Sequence, residues 1–153
     1  MTSRLLGLRC DVVTKEEIVY IFFYDIDMPN LSDDNLAWID ETLRGYCVSY
    51  LVYKTKNGYH VIGLTPLPVL QWAMLQKVFK NQFNSYYGGI VIRVSRKPQE
   101  EQVLIRFIEE YGEVIPNLWN IYCSRFEELQ RKPWVKELAK YLLVFERYRS
   151  EKQ

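Results

Sequence analysis

The chain has 153 residues, of which 48% are hydrophobic and 25% are charged, and its formal net charge is +1. This length suits one domain with a real core. The near-zero net charge gives no overall attraction to nucleic acid, so such binding would need a local basic patch. One histidine and three widely separated cysteines argue against a structural zinc site, a serine–histidine hydrolase and a disulfide framework.

The same composition bears on where the protein works. No apolar run approaches the roughly 18 residues of a membrane-spanning helix, and the N-terminus lacks the pattern of a signal peptide. The odd number of cysteines indicates reduced thiols. We therefore predict a cytoplasmic protein without a membrane partner.

Residues 18–27, with the sequence I-V-Y-I-F-F-Y-D-I-D, form the stretch around which the other elements are arranged. Its β-branched and aromatic residues are typical of a buried strand. Because side chains alternate between the faces of a strand, Asp25 and Asp27 should share one face. Paired carboxylates offer the oxygen ligands that Mg²⁺ and Mn²⁺ prefer. The simpler interpretation is a strand that ends in two solvated acids.

Three further elements follow this strand. Ser32 is a suitable N-cap for a helix that ends at Gly45. Residues 46–55 and 59–64 predict two strands, joined by a turn whose Asn-Gly sequence is a strong hairpin signal.

A second helix and two more strands complete the expected sheet module. The helix begins at Pro66 or Pro68 and ends at about residue 83. Its predicted apolar face comprises Leu70, Met74, Leu75, Val78, Phe79 and Phe83. Residues 90–95 predict the last strand, and residues 5–13 an extra N-terminal strand.

From residue 18 the predicted order is β-α-β-β-α-β, which is the order of a ferredoxin-like fold or an RNA-recognition motif (RRM). Residues 99–153 predict helices, because apolar residues recur at helical spacing from Val103 to Tyr111 and again after Pro116 and Pro133. We therefore predict an α+β protein. An RRM-like module at 1–98 would carry the C-terminal helices of 99–153 as one compact unit.

This topology would gather charged groups around the two acids. In a ferredoxin-like sheet the first and third strands are neighbours, so Asp25 and Asp27 would lie beside His60. The other candidates are Lys54 and Lys56 at the hairpin turn, and Arg93, Ser95 and Lys97 on or after the last strand. Carboxylates hold a divalent metal, while His, Arg and Lys hold phosphates, so the set predicts a metal–nucleotide site.

Three motifs in this order resemble the archaeo-eukaryotic primase superfamily of primases and primase-polymerases. They are F-Y-D-I-D at 23–27, K-N-G-Y-H-V at 56–61 and V-I-R-V-S-R-K at 91–97. The resemblance spans about residues 18–97 and implies an RRM-like palm. It implies that Asp25 and Asp27 bind Mg²⁺ or Mn²⁺ and that His60 contacts the phosphates of the incoming nucleotide. It further implies that Arg93 and Lys97 contact phosphate or template.

The activity that this resemblance implies is nucleotidyl transfer in the DNA replication of a small archaeal, viral or mobile-element genome. The partners would be nucleotide, single-stranded or primed nucleic acid and replication proteins, in the host cytoplasm if the source is a virus. No zinc and no organic cofactor are expected. Residues 88–98 contain no carboxylate to serve as the family's third acid, and two-metal phosphoryl transfer usually needs more ligands. The resemblance therefore implies a minimal or divergent member, and turnover is left open.

Two interpretations without catalysis use the same sheet. In one, an RRM-like module binds nucleic acid or protein, and Tyr59 stacks on bases together with Tyr20 or Phe22. In the other, a small adaptor protein buries Arg93 in an ion pair with Asp25 or Asp27 beneath the C-terminal helices. Divalent metal binding that depends on Asp25 would separate the catalytic interpretation from both.

Overall fold

A computed structural model shows a mixed α+β protein, which confirms the predicted class. It describes residues 2–13, 16–84, 91–93, 103–112, 131 and 142–148, with the backbone alone for residues 2–8, 91–93 and 142–148. The described strands are β1 (Thr2–Arg9), β2 (Asp11–Val13), β3 (Ile18–Tyr20), β4 (Phe23–Ile26), β5 (Tyr50–Lys54), β6 (Tyr59–Gly63), β7 (Val91–Arg93), β8 (Val103–Ile108) and β9 (Leu142–Tyr148). The helices are α1 (Asp33–Gly45) and α2 (Val69–Phe83).

The described strands pair only in antiparallel fashion. Four of them form a sheet in the order β4-β6-β5-β8, and three form a sheet in the order β7-β1-β9. Strands β2 and β3 make a separate hairpin, in which Val12 lies opposite Val19. The predicted hairpin between the N-terminal strand and the strand that begins at residue 18 is therefore present.

One face of the four-stranded sheet packs against both helices. The ring of Tyr24 on β4 lies 5.3 Å from that of Phe79 on α2, and Trp38 on α1 lies 5.0 Å from the same phenylalanine. Ile39 and Leu43, on the inner side of α1, are buried among the same core residues. The main core of the described chain thus lies between this face and the two helices.

The local signals for α1 and the hairpin are confirmed. Ser32 caps α1, and its Oγ accepts a hydrogen bond from the Asn35 backbone N–H at 3.1 Å. Strands β5 and β6 pair across the predicted Asn-Gly turn. The expected neighbours, the strand of the acids and the strand of His60, also pair as β4 and β6.

The predicted apolar face of α2 was too wide. Leu75, Phe79 and Phe83 are buried, but Leu70 is 75% exposed and Met74 is 58% exposed. The three buried residues repeat every four positions and follow the sheet on one narrow side of the helix. Leu70 and Met74 lie away from that line, and exposed apolar residues are common on folded proteins.

The fourth strand of the sheet differs from the prediction. Residues 91–93 form β7, but it pairs with β1 in the other sheet, with Arg93 opposite Gly7. The prediction placed this strand beside the strand of Asp25, whereas the four-stranded sheet gains its fourth strand at the other edge, beside β5, from β8, whose residues were predicted to be helical. The run V-L-I-R-F-I is rich in β-branched and aromatic residues, and in such a short run the helical spacing of apolar positions does not exclude a strand. The described strands therefore do not have the ferredoxin-like order.

Two other boundaries differ from the sequence-based expectation. The segment 18–27 is not one strand, because residues 21 and 22 separate β3 from β4. Residues 142–148 form β9, which pairs with β1, instead of continuing a helix. The helices predicted after Pro116 and Pro133 lie outside the described residues, apart from Arg131 and the β9 segment.

Gly58 gives a direct test of how closely β4 approaches the hairpin. A Cβ atom at this position would lie 2.1 Å from the carbonyl oxygen of Ile26, so Gly58→Ala must displace backbone. We expect the free energy of unfolding in urea to fall by about 1–3 kcal/mol, the usual range for overpacking. Gly45→Ala is the matched control, because nothing lies within 4 Å of its Cβ. Equal stability of the two variants would contradict the close approach.

Candidate functional site

Asp25 and His60 face each other across β4 and β6. The Gly63 N–H donates to the Phe22 carbonyl at 2.7 Å, so Phe22 and Gly63 form a hydrogen-bonded pair. From this pair onward, hydrogen-bonded and non-hydrogen-bonded pairs alternate along the two strands. Asp25 and His60 fall at a pair without backbone hydrogen bonds, where side chains come closest. The Asp25 Oδ1 atom lies 3.5 Å from His60 Nε2. The register of the two strands therefore brings the predicted acid and the single histidine into contact.

This pair lies on the face opposite the helices and is partly shielded from water. The exposed fraction of the side chain is 41% for Asp25 and 24% for His60. Burial raises the pKa of Asp25, His60 lowers it and Asp27 raises it further. Burial lowers the pKa of His60, against the opposing effect of both carboxylates. Because partial burial disfavours the charged form of both groups, a ligand that neutralises the carboxylate would be stabilised here.

Asp27 completes the cluster from just beyond the end of β4. Its side chain is exposed, and its negative charge acts on both Asp25 and His60. Among the residues that the structure describes, no group of three or more His, Cys, Asp or Glu side chains is arranged to hold a metal ion. Mg²⁺, however, commonly binds proteins through one or two carboxylates and takes its other ligands from water and phosphate. The two carboxylates suit that mode and not a closed protein cage.

Lys54, the first lysine of the hairpin, does not lie beside the acids as predicted. Lys54 is on the helix-covered face, because it lies opposite Tyr59 in the pairing of β5 with β6. Its Nζ is 4.8 Å from the centre of the Tyr59 ring and donates to the Thr55 carbonyl. Lys56 is exposed in the turn. The expectation that Lys54 holds phosphate next to Asp25 is therefore corrected.

Tyr59 is likewise a core residue and not an open stacking platform. It is only 7% exposed, and its hydroxyl accepts a hydrogen bond from the Leu31 N–H at 3.2 Å. Strand alternation places it opposite Ile26, on the face that meets the helices. A base therefore has no open ring to stack on at this position.

The third motif of the predicted site is not next to β4. Arg93 lies on β7, whose partner is β1, so the strand adjacency that suggested contact with Asp25 or Asp27 is absent. Ser95 and Lys97 lie outside the described residues. Among the predicted site residues whose side chains the structure describes, Asp25, Asp27 and His60 form one cluster.

The sequence did not reveal two residues whose side chains hydrogen-bond to the backbone of the segment that leads to Asp25. Trp72 Nε1 donates to the Ile21 carbonyl, and Gln76 Nε2 donates to the Phe23 carbonyl, each at 3.1 Å. Both residues lie on α2, four positions apart, and they occupy the side of β4 that faces away from β6. Two N–H-bearing side chains at that spacing were visible in the sequence, but the strand that they meet is fixed only by the fold.

The only histidine of the chain makes the electrostatics testable, since its imidazole signals in NMR are unique. We expect a His60 pKa below the ordinary value of 6.5, because burial disfavours the imidazolium ion. Asp25→Asn should lower it further by removing a negative charge that stabilises this ion. A value at or above 6.5, or a rise in the variant, would contradict this account.

The same shift predicts how stability depends on pH. Because the folded-state pKa of His60 is lowered, the unfolded chain binds more protons between that value and 6.5. This contribution to the free energy of unfolding is therefore lost as the pH falls below 6.5 towards the folded-state pKa. In urea denaturation between pH 7 and pH 5, His60→Gln should lose less stability than the parent protein. An equal loss in both proteins would assign the pH dependence to other groups.

Comparisons with protein-family models, with curated proteins and with solved structures gave no match. Neither described helix combines the length and the apolar character needed to cross a membrane. What the protein does must therefore be inferred from the placement of its own residues. Among the described residues, Asp25, Asp27 and His60 form the cluster whose side chains are best suited to bind a ligand.

Proposed function

We propose that this protein is a primase-polymerase-like nucleotide-binding protein. In this proposal Asp25 and Asp27 bind Mg²⁺ or Mn²⁺, and His60 binds phosphates of the nucleotide. The observation that carries the proposal is the 3.5 Å contact between Asp25 and His60 on neighbouring strands. Two of the three motifs, at 23–27 and 56–61, thereby meet at one end of the sheet.

The donor set fits one hard divalent cation. Two carboxylates supply anionic oxygens, and the raised pKa of Asp25 reflects partial burial beside the negative charge of Asp27. A cation between these acids would remove that repulsion. When bound, such an ion neutralises phosphate charge and polarises a phosphoryl oxygen. The carboxylates themselves would fix the position of the ion relative to His60.

His60 has the properties of a phosphate-binding imidazole. Its lowered pKa favours the neutral form, which keeps one N–H donor for an oxygen atom. At 3.5 Å from Asp25 Oδ1, the Nε2 atom is at the outer limit of hydrogen-bond distance.

The resemblance to the primase superfamily extends the proposal beyond binding. Strands β4, β6 and β5 keep the neighbour relations of an RRM-like palm. We therefore include nucleotidyl transfer on single-stranded or primed nucleic acid in the proposal, in the cytoplasm and with replication proteins as partners. The base-stacking alternative is weaker, because Phe22 and Tyr59 are buried and the half-buried Tyr20 ring already stacks on Trp72 at 5.0 Å.

Calorimetric titration with Mn²⁺, with and without ATP, tests the site. We expect Mn²⁺ to bind, and ATP to strengthen its binding, because the phosphates add ligands. Asp27→Asn should weaken Mn²⁺ binding about tenfold or more, since charged ligands dominate such sites. Asp27 is exposed, so the variant should keep the fold.

Glu41→Gln is the matched control, because Glu41 is an exposed acid on α1 and lies outside the cluster. It should bind Mn²⁺ as the parent protein does. Flat traces for the parent protein at millimolar Mn²⁺, or equal losses in Asp27→Asn and Glu41→Gln, would refute the proposed site.

A further inference from the structure

Two of the cations that the sequence suggested for the phosphates are not placed beside the acids in the part of the chain that the structure describes. Lys54 points to the other face of the sheet, and Arg93 belongs to a different sheet. A triphosphate carries several negative charges, and one divalent ion with a neutral imidazole leaves part of that charge unbalanced. A basic residue from another element would complete the site.

Helix α2 follows the outer edge of β4 in step with the strand. Trp72 bonds to the Ile21 carbonyl and Gln76 to the Phe23 carbonyl, so four helix positions correspond to two strand positions. Four residues of a helix rise about 6 Å, and two residues of a strand rise about 6.6 Å. The next position in this series is Lys80, and the next outward-facing backbone group is that of Asp25.

Aromatic contacts on either side of Lys80 agree with this placement. Phe79 and Phe83, which precede and follow Lys80 in the sequence, lie on the inner side of α2. Their rings are 5.3 and 6.4 Å from the ring of Tyr24. Tyr24 directly precedes Asp25. The backbone of Lys80 therefore lies level with the residue that carries the candidate metal ligand, and its side chain is exposed.

We propose that Lys80 is the phosphate-binding cation of the site formed by Asp25, Asp27 and His60. This inference depends on the nucleotide-binding function proposed above. Because α2 lies along the outer edge of β4, a long side chain of this helix can extend around that edge towards a ligand on the opposite face. The lysine side chain suits this position, because its long flexible stem carries a compact charge with three rotatable donors.

The test compares ATP affinity in the presence of saturating Mn²⁺ among four proteins, the parent and the variants Lys80→Gln, Lys80→Arg and Lys77→Gln. Lys80→Gln should weaken ATP binding about tenfold, as expected for the loss of one charge-assisted contact. Lys80→Arg should restore most of the affinity, because it keeps the charge. Lys77→Gln removes the same charge from an exposed position on the same helix and should change little.

Binding of Mn²⁺ alone separates this inference from the function on which it rests. Lys80→Gln should leave Mn²⁺ binding unchanged, whereas Asp27→Asn should weaken it about tenfold or more. If Asp27→Asn loses Mn²⁺ while Lys80→Gln binds ATP like the parent protein, Lys80 has no such role and the metal site stands. Equal losses in Lys77→Gln and Lys80→Gln would show a general charge effect and also overturn the assignment. If the parent protein binds no Mn²⁺, both proposals fall.

Discussion

The pairing of β4 with β6 is the constraint on which both the core and the candidate site depend. Because side chains alternate along a strand, one register places Tyr24 and Ile26 against the helices and Asp25 beside His60 on the other face. A shift by one residue would turn the acid into the core and an apolar ring into the site. Selection for a stable core therefore also fixes the geometry of the cluster.

Two carboxylates of this protein show how differently the same group can be used. Burial would raise the pKa of Asp40, but hydrogen bonds from Tyr50 and Arg44, at 2.5 and 2.8 Å, lower it overall. That acid is a structural group, which ties α1 to the sheet. Asp25 has the opposite balance, because burial and Asp27 outweigh His60 and its pKa rises. Perturbed carboxylates of this kind cluster at functional sites, which supports Asp25 as part of the candidate site.

Local signals in the sequence predicted the elements better than their partners. The Ser32 cap, the Asn-Gly turn and the alternation of residues 23–27 each depend on neighbours in the chain, and each is found in the structure. The contact of Asp25 with His60 could be predicted because it follows from two such strands in a common topology.

The failures arise where the partner of a strand is a distant segment. Residues 91–93 pair with β1 instead of with the strand of Asp25, and β8 adds to the opposite edge of the sheet, beside β5. Propensity cannot decide between partners of similar apolar character. The roles given to Lys54 and Tyr59 failed for a related reason, since the face on which each lies depends on register. Trp72 and Gln76 were missed because their acceptors are backbone carbonyls, which carry no sequence signal.

The bonds from Trp72 and Gln76 to β4 also affect how this protein meets its own copies. An open strand edge with unpaired carbonyls is a template for another chain, and it is a common starting point for aggregation. Here the outward carbonyls of Ile21 and Phe23 already have donors. A foreign strand could add at this edge only by breaking both bonds and displacing α2. The helix that holds the candidate site in place therefore also shields this edge of the sheet from aggregation.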